Sequence, residues 1–318
     1  MTVPTFRLSN GVEIPAVQMG VWQGEKDVAE GLSDAIKLGW TGFDTARAYG
    51  TEVGLAKAIK ESGKPRSDFF ITTKLANGDH HRVAEAFQES IDALGFEEPI
   101  DLYLMHWPHA TKDGKTYDGP PDGPDFNQTW FEMERLYDSG RVRAIGVSNF
   151  SIETLTHLLT TARVVPLLTF LRMHQVEGHV YNPDDELKTF CDSKGIHITF
   201  YSPLGSSQKN KPSPLMSDPD IKPIAEAHNA SVAQVLLSWA VQRGVSVAPR
   251  STNPERMKQN LTLVKLSEQE MDALSSIHKK DPSRHTRLLS SIWDPETGLV
   301  LNGWTLEKLG WDVGYKYK

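Results

Sequence analysis

Four side chains that could together move a proton recur at the ends of apolar runs: Asp44, Tyr49, Lys74 and His106. A tyrosine is a poor acid near neutrality, with an ordinary pKa of about 10. A nearby ammonium favours the phenolate, and a carboxylate can hold that ammonium charged and in place. A histidine beside the phenol can donate a hydrogen bond to a carbonyl oxygen and so orient it. These parts suit a carbonyl reduction, in which hydride reaches carbon while Tyr49 gives its proton to oxygen. Taken singly, an Asp, Lys or His at a strand end is commonly the solvated start of a loop. The four fall at successive strand–loop junctions, which points to one shared site.

The elements that would position them follow from a repeated pattern. TGFD closes on Asp44, ITTK on Lys74, LYLMH on His106, VSN on Asn149, MHQ on Gln175, ITFY on Tyr201 and VAPR on Arg250. Short apolar runs that each end in one polar residue, separated by helix-length segments, describe parallel strands whose carboxyl ends face one mouth. Strands are expected at 17–20, 42–44, 69–74, 102–106, 144–147, 171–175, 197–201 and 246–248. Helices are expected at 25–38, from 51, at 80–94 and at 127–139, with a further one opened by Ser151 as N-cap and Thr154 three residues on. The fold class is therefore α/β, a (β/α)8 TIM barrel spanning 1–318 as one domain. Residues 6–15 read as a hairpin turning at Asn10-Gly11 that plugs the amino-terminal end. The loops at 108–125 and 203–219 are long enough to overhang the mouth, and the tail after Asp281, with Trp293, Trp304 and Trp311, adds a cover.

Composition excludes other classes. The chain has 318 residues, 39% of them hydrophobic and 24% charged, and a formal net charge of −7, which disfavours a nucleic-acid surface. Cys191 is the only cysteine, so no intrachain disulfide and no CxxC metal cluster can form, and no metal is expected. No apolar stretch approaches the roughly 20 residues needed to cross a bilayer. The first residues, Met1-Thr-Val-Pro-Thr, show no secretory pattern, so cytoplasmic residence is the default expectation.

The segment FDTARAYGTE, which supplies Asp44 and Tyr49, resembles the FDTAxxYGNE block of the aldo-keto reductases. ITTKL, LYLMHWP, IGVSNF, HQVE, YSPLG and PRSTNPERMKQN are similar to the family's other blocks, in the expected order. The resemblance runs from the N-terminal hairpin to about residue 280 and implies a hydride donor, NADPH. It implies Tyr49 as proton donor, Lys74 and Asp44 as its tuning pair and His106 as the orienter of the carbonyl. Ser148, Asn149 and Gln175 would bond the nicotinamide carboxamide and Tyr201 would stack on its ring. Ser202, Leu204, Gly205 and Ser206 would lie along the pyrophosphate, with Val21, Trp22 and Asp44 also against the dinucleotide. No GxGxxG follows the first strand, so a Rossmann cofactor domain is not indicated.

Between the eighth strand and a helix start, Arg250, Ser251, Thr252, Asn253 and Arg256 fit a ribose 2′-phosphate, because guanidinium forks match phosphate oxygens. Gln259 and Asn260 would lie near the adenine. Two departures stand here: the family usually has Lys where Arg250 stands and Glu where Gln259 stands, so NADPH preference is expected with weakened discrimination. Trp22, Trp107 and Trp293, beside Tyr49 and His106, would wall the substrate pocket. SSIWDPETG lacks the asparagine of pentose-reducing relatives, which weakens a xylose assignment. Arg47, Arg284 and Arg287 could meet a uronate carboxylate, although such arginines are more often surface charges. The expected partner is a small carbonyl or alcohol substrate, with the chain monomeric or a weak homodimer. Competing readings are a Schiff-base barrel enzyme using Lys74, a uronate-specific reductase, and a non-catalytic NADPH-binding auxiliary subunit.

Overall fold

The structure, a computed structural model, describes residues 3–22, 28–97, 99–112, 115–116, 125–162, 164–165, 168–169, 171–205, 212–287, 293–294, 299–300, 305 and 307–311. For 28–30, 112, 115–116, 164–165, 168–169, 171–172, 293–294 and 299–300 it describes the backbone only. Ser206 and Trp304 lie outside the described residues, as does the side chain of Trp293.

Eight strands form one sheet in chain order: Met19–Gly20, Gly42–Asp44, Phe70–Leu75, Leu102–Met105, Ile145–Ser148, Leu171–Glu177, His197–Tyr201 and Ser246–Ala248. Every pairing between them is parallel. The ladder bends round until its ends meet: Val17 bridges Val247, Gln18 N donates to Val247 O at 2.8 Å and Gly20 N to Pro249 O at 3.0 Å. The result is a nearly closed (β/α)8 TIM barrel. Five of its eight strands are buried along their whole length, which is why they read as unbroken apolar runs. The sixth strand runs two residues past Gln175 because Val176 and Glu177 keep pairing with Phe200 and Tyr201. Glycine at 146 in the fifth strand is required by close approach: a Cβ there would lie 2.4 Å from the Met173 carbonyl oxygen.

The N-terminal hairpin differs from expectation by one residue. Thr5–Arg7 pairs with Glu13–Pro15 so that Phe6 faces Ile14, which leaves a three-residue loop, Ser9-Asn10-Gly11. Leu8 and Val12 close that loop, and Gly11 takes a φ of 89° as the left-handed residue that follows the turn. Packing and a side-chain bond fit this register. Leu8 and Ile14 enter a buried cluster with Phe70, Leu102, Leu104, Ala144 and Met173, and Asn10 Nδ2 donates to Arg143 O at 2.8 Å. Arg143 precedes the fifth strand, so the hairpin plugs the amino-terminal end.

Around the barrel lie helices Val28–Lys37, Glu52–Glu61, Val83–Leu94, Phe126–Asp138, Ile152–Thr161, Asp185–Ser193 and Val232–Gln242. The helix from Ile152 begins with a capping box in which Ser151 and Thr154 satisfy each other's backbone donors. Helix Lys222–Ala227 stands between the seventh-strand loop and Val232–Gln242. Of the long loop at 108–125, the described part contains the antiparallel pair Thr111–Lys112 and Lys115–Thr116. Described parts of the tail reach the carboxyl-terminal end: Thr286 N donates to Tyr181 O at 3.2 Å, and the Trp311 ring lies 5.7 Å from that of Trp107. Among the described residues no helix is long and apolar enough to cross a membrane.

Candidate active site

Asp44 ends the second strand, and Lys74 is the penultimate residue of the third. His106 follows the fourth strand, and Tyr49 sits on the short 3-10 turn Arg47–Tyr49 after the second. Lys74, 1% exposed, forms an ion pair with Asp44 Oδ1 and donates to Thr45 O at 2.8 Å, while the second Asp44 oxygen accepts from Gln175 Nε2. A buried ion pair is tolerable when hydrogen bonds satisfy its remaining sites, and here they do. The Lys74 Nζ lies 5.0 Å from the centre of the Tyr49 ring, and the Tyr49 hydroxyl is 3.3 Å from His106 Nε2. All four residues are thus brought together. Tyr49 and His106 are half-buried at the mouth, whereas Lys74 and Asp44 lie beneath them.

The electrostatics correct one expectation. Burial, then the Asp44 carboxylate, pushes the Tyr49 phenol above its ordinary value, the reverse of the acidification expected from Lys74. The Lys74 ammonium is itself bonded to Asp44 and to the Thr45 carbonyl. Burial also draws Lys74 below its ordinary value against the pull of Asp44. His106 is held well below the usual histidine range by burial, then by Lys74 and His109, so its imidazole is neutral. The resting site is therefore a protonated phenol beside a neutral imidazole.

The residues expected to face a dinucleotide join the same network. Ser148 Oγ donates to Gln175 O at 2.9 Å, and Asn149 Nδ2 donates to His106 O at 2.9 Å and to Ser148 Oγ at 3.0 Å. Tyr201 OH donates to Asn149 Oδ1 at 2.7 Å. Asn149 and Ser202 take left-handed φ values of 64° and 50°, so the chain turns sharply as it leaves the fifth and seventh strands. Leu204 and Gly205 are half-buried beyond Ser202. Val21, buried, donates its N–H to Asp44 O at 2.8 Å. At the eighth strand Arg250, Thr252, Asn253 and Arg256 are exposed and Ser251 and Gln259 half-buried, while Asn260 is buried. Asn253 accepts from Arg256 N at 3.0 Å and caps helix Pro254–Asn260.

Trp22 is 53% exposed and its ring lies under the Arg250 guanidinium at 5.8 Å, linking the first-strand loop to the eighth. Trp107 is 3% exposed, covered by Trp311 and flanked by His109 at 5.6 Å, so it backs the mouth rather than lining it openly. The three arginines considered for a carboxylate ligand are engaged within the protein. Arg47 pairs with Asp79 at 2.9 Å and with Glu89, and Arg284 pairs with Asp218, Asp220 and Asp281. Arg287 is buried over the Trp311 ring at 4.4 Å, with Glu177 and Asp184 each 4.0 Å away. Cys191 is buried, its thiol pushed up to about 12 chiefly by burial, as suits a small core residue. Among the described residues no group of three or more His, Cys, Asp or Glu is placed to hold a metal.

Sequence reasoning missed Thr45 and Thr51. Their hydroxyls bond at 2.7 Å, and Thr51 Oγ1 donates to Val21 O at 2.9 Å, fastening both ends of the loop that carries Tyr49. Two hydroxyl residues bracketing the tyrosine within one loop were the available signal.

Comparison with known proteins agrees with this geometry. The aldo/keto reductase family model matches residues 18–279. The chain is 37% identical to the glycerol 2-dehydrogenase (NADP(+)) of Saccharomyces cerevisiae, covering 91% of this chain and 94% of that one. It is also 37% identical to the D-galacturonate reductase of Hypocrea jecorina, covering 93% and 96%. The crystal structure of an aldo-keto reductase from a Medee basin deep-sea metagenome library superposes with a TM-score of 0.75 at 33% identity, covering 85% of this chain and 94% of that one. With the barrel, the clustered strand ends and a match over most of its length, the chain belongs to the aldo/keto reductase family.

Proposed function

We propose that the chain reduces small aldehydes and ketones to alcohols with NADPH, and runs the reverse oxidation. One observation carries this reading: a phenol, an imidazole and a buried ion pair share a hydrogen-bonded network with Gln175, Asn149 and Tyr201. The donor set fits a nicotinamide dinucleotide phosphate. Amide and hydroxyl groups at Ser148, Asn149 and Gln175 suit a carboxamide, Tyr201 offers an aromatic face, and exposed Arg250 and Arg256 beside Ser251 suit a phosphate. When bound, NADPH supplies the hydride.

The protein's own part is proton transfer and orientation. Tyr49, which keeps its proton at neutral pH because burial disfavours the phenolate, donates it to the carbonyl oxygen. His106 Nε2, 3.3 Å from that hydroxyl, holds the oxygen beside it. Lys74, 5.0 Å from the ring, stabilises the phenolate only as the proton leaves, so its charge acts in the transition state rather than at rest. The complete set of four argues against an auxiliary subunit. The Lys74 ion pair, sealed below the mouth, disfavours a Schiff base.

Glyceraldehyde, glycerol-related ketoses and neutral aldoses are the leading substrates, in line with similarity to a glycerol 2-dehydrogenase. Uronates rank lower despite similarity to a D-galacturonate reductase, because Arg47 and Arg284 are committed to internal carboxylates. A steady-state carbonyl panel with NADPH and NADH in parallel tests the reading. Higher kcat/KM with NADPH and a preference for neutral carbonyls are expected. Comparable efficiency with NADH would overturn the phosphate assignment, and NADPH binding without turnover would restore the auxiliary-subunit reading.

A further inference from the structure

Arg47 opens the short 3-10 turn that carries Tyr49. It stands at the first open position of the FDTAxxYGNE block, so the family pattern leaves its residue type unset. Main-chain bonds join the turn into one piece: Tyr49 N donates to Ala46 O at 2.9 Å and Gly50 N to Arg47 O at 3.1 Å. Whatever fixes Arg47 therefore helps to fix the direction in which the phenol leaves the chain.

The Arg47 side chain is held from the third strand's loop and the helix after it. Its Nε donates to Asp79 Oδ2 at 2.9 Å, and its guanidinium also pairs with Glu89. Arg82 completes a ring of four charges. It donates through Nε to Asp79 Oδ1 at 2.8 Å and grips both Glu89 oxygens at 2.6 and 3.2 Å. Two guanidiniums thus face two carboxylates. An isolated surface pair would hold little, but a closed network with a forked contact keeps its members in one geometry. The anchor is the least exposed of the four, since Asp79 is buried.

The same loop also reaches the histidine. Asp79 ends the 3-10 turn Asn77–Asp79, and buried Asn77 donates through Nδ2 to His109 O at 3.1 Å, just beyond His106. One short turn thus braces both the Tyr49 turn and the His106 loop, across the 3.3 Å between Tyr49 OH and His106 Nε2. Buried Glu52 accepts from Thr73 Oγ1 at 2.6 Å, which ties helix Glu52–Glu61 to the third strand independently of Arg47.

We propose that Arg47 is a positioning residue for the proton donor: through Asp79 it sets Tyr49 against His106, so that its loss slows the chemical step without weakening binding of dinucleotide or carbonyl. The proposal rests on the functional reading above. It gives Arg47 a part in proton delivery in place of carboxylate recognition. A misplacement of about 1 Å can cost roughly a hundredfold in rate, so a loosened turn should have a measurable effect.

The test uses the full chain as wild type, Arg47→Met, Arg47→Lys and Asp79→Asn, with glyceraldehyde as the neutral carbonyl and D-galacturonate as the charged one. Single-turnover oxidation of bound NADPH is followed by absorbance, beside steady-state KM and NADPH affinity. Arg47→Met should slow the single turnover of glyceraldehyde about five- to thirtyfold, while its KM and the NADPH affinity stay within about twofold. Arg47→Lys should recover part of the rate, and Asp79→Asn should lose a smaller share of it. A wild-type single-turnover rate in Arg47→Met would overturn the proposal, even if the melting temperature fell. So would a loss confined to the KM for D-galacturonate, which would return Arg47 to substrate binding. Should Arg47→Met not fold, wild-type rates in both other variants would overturn it. A wild type that turns over no carbonyl would defeat the functional reading, and the proposal with it.

Discussion

Under the proposed function Tyr49 acts as proton donor, and its position and its electrostatics rest on different levels of information. Its place beside His106 and above the Lys74–Asp44 pair follows from strand ends that are visible in the chain. The direction of its pKa shift does not, because burial and the neighbouring carboxylate raise it. On the proposed NADPH reading, exposed Arg250 and Arg256 are the residues that would separate NADPH from NADH. Arg256→Ala should weaken NADPH binding roughly tenfold and leave NADH binding nearly unchanged, measured by fluorescence titration. Equal losses for both dinucleotides would remove Arg256 from the phosphate. The arginines that sequence could not place share a cause. Arg47 meets Asp79 32 positions away and Arg284 meets Asp220 64 positions away, and such pairings depend on loops whose course leaves no local pattern.

Elements were more legible than side-chain pairings, because strands buried on both faces must be apolar and must end where polar loops begin. That constraint located all eight strands to within about two residues, and the sixth overran because its pairing with the seventh continues through Glu177. The hairpin differs by one residue from a two-residue turn, since Asn-Gly serves both such a turn and the end of a three-residue loop. Here the inward placement of Leu8 and Ile14 and the bond from Asn10 to Arg143 accompany the longer loop. The cap on helix Ile152–Thr161 was readable from Ser151 and Thr154. Ser151→Ala should lower unfolding free energy by about 1 kcal/mol in denaturant titration. Because this helix follows the Ser148-Asn149 turn directly, NADPH affinity should fall modestly as well. An unchanged midpoint would show that the capping box contributes nothing to stability.

For the whole molecule, barrel closure and pH response depend on long-range contacts. Val17, Gln18 and Gly20 join Val247 and Pro249 across 230 or so positions, roughly the length of a (β/α)8 domain, and no short motif announces this seam. His80 and His174 are held down to about 3 and His197 to about 4, in each case mainly by burial. Their folded-state values lie below the unfolded one, so below about pH 6.5 the unfolded chain binds more protons than the native one. Stability should therefore be full above that pH and fall progressively as pH drops towards 4. Melting temperatures recorded from pH 7 to pH 4 check this, and a flat profile would contradict the buried neutral histidines. The attachment of the described tail through Thr286, Arg284 and the Trp311–Trp107 contact is a property of the assembled loops.

The central claim is that the Tyr49 hydroxyl delivers the proton in a carbonyl reduction. Its most direct test compares wild type and Tyr49→Phe for turnover of a carbonyl that the wild type reduces, followed by NADPH absorbance, alongside NADPH affinity. Turnover should fall by about a hundred- to ten-thousandfold while NADPH affinity stays within about twofold, because only the donor is lost. Near-normal turnover in Tyr49→Phe would contradict the account.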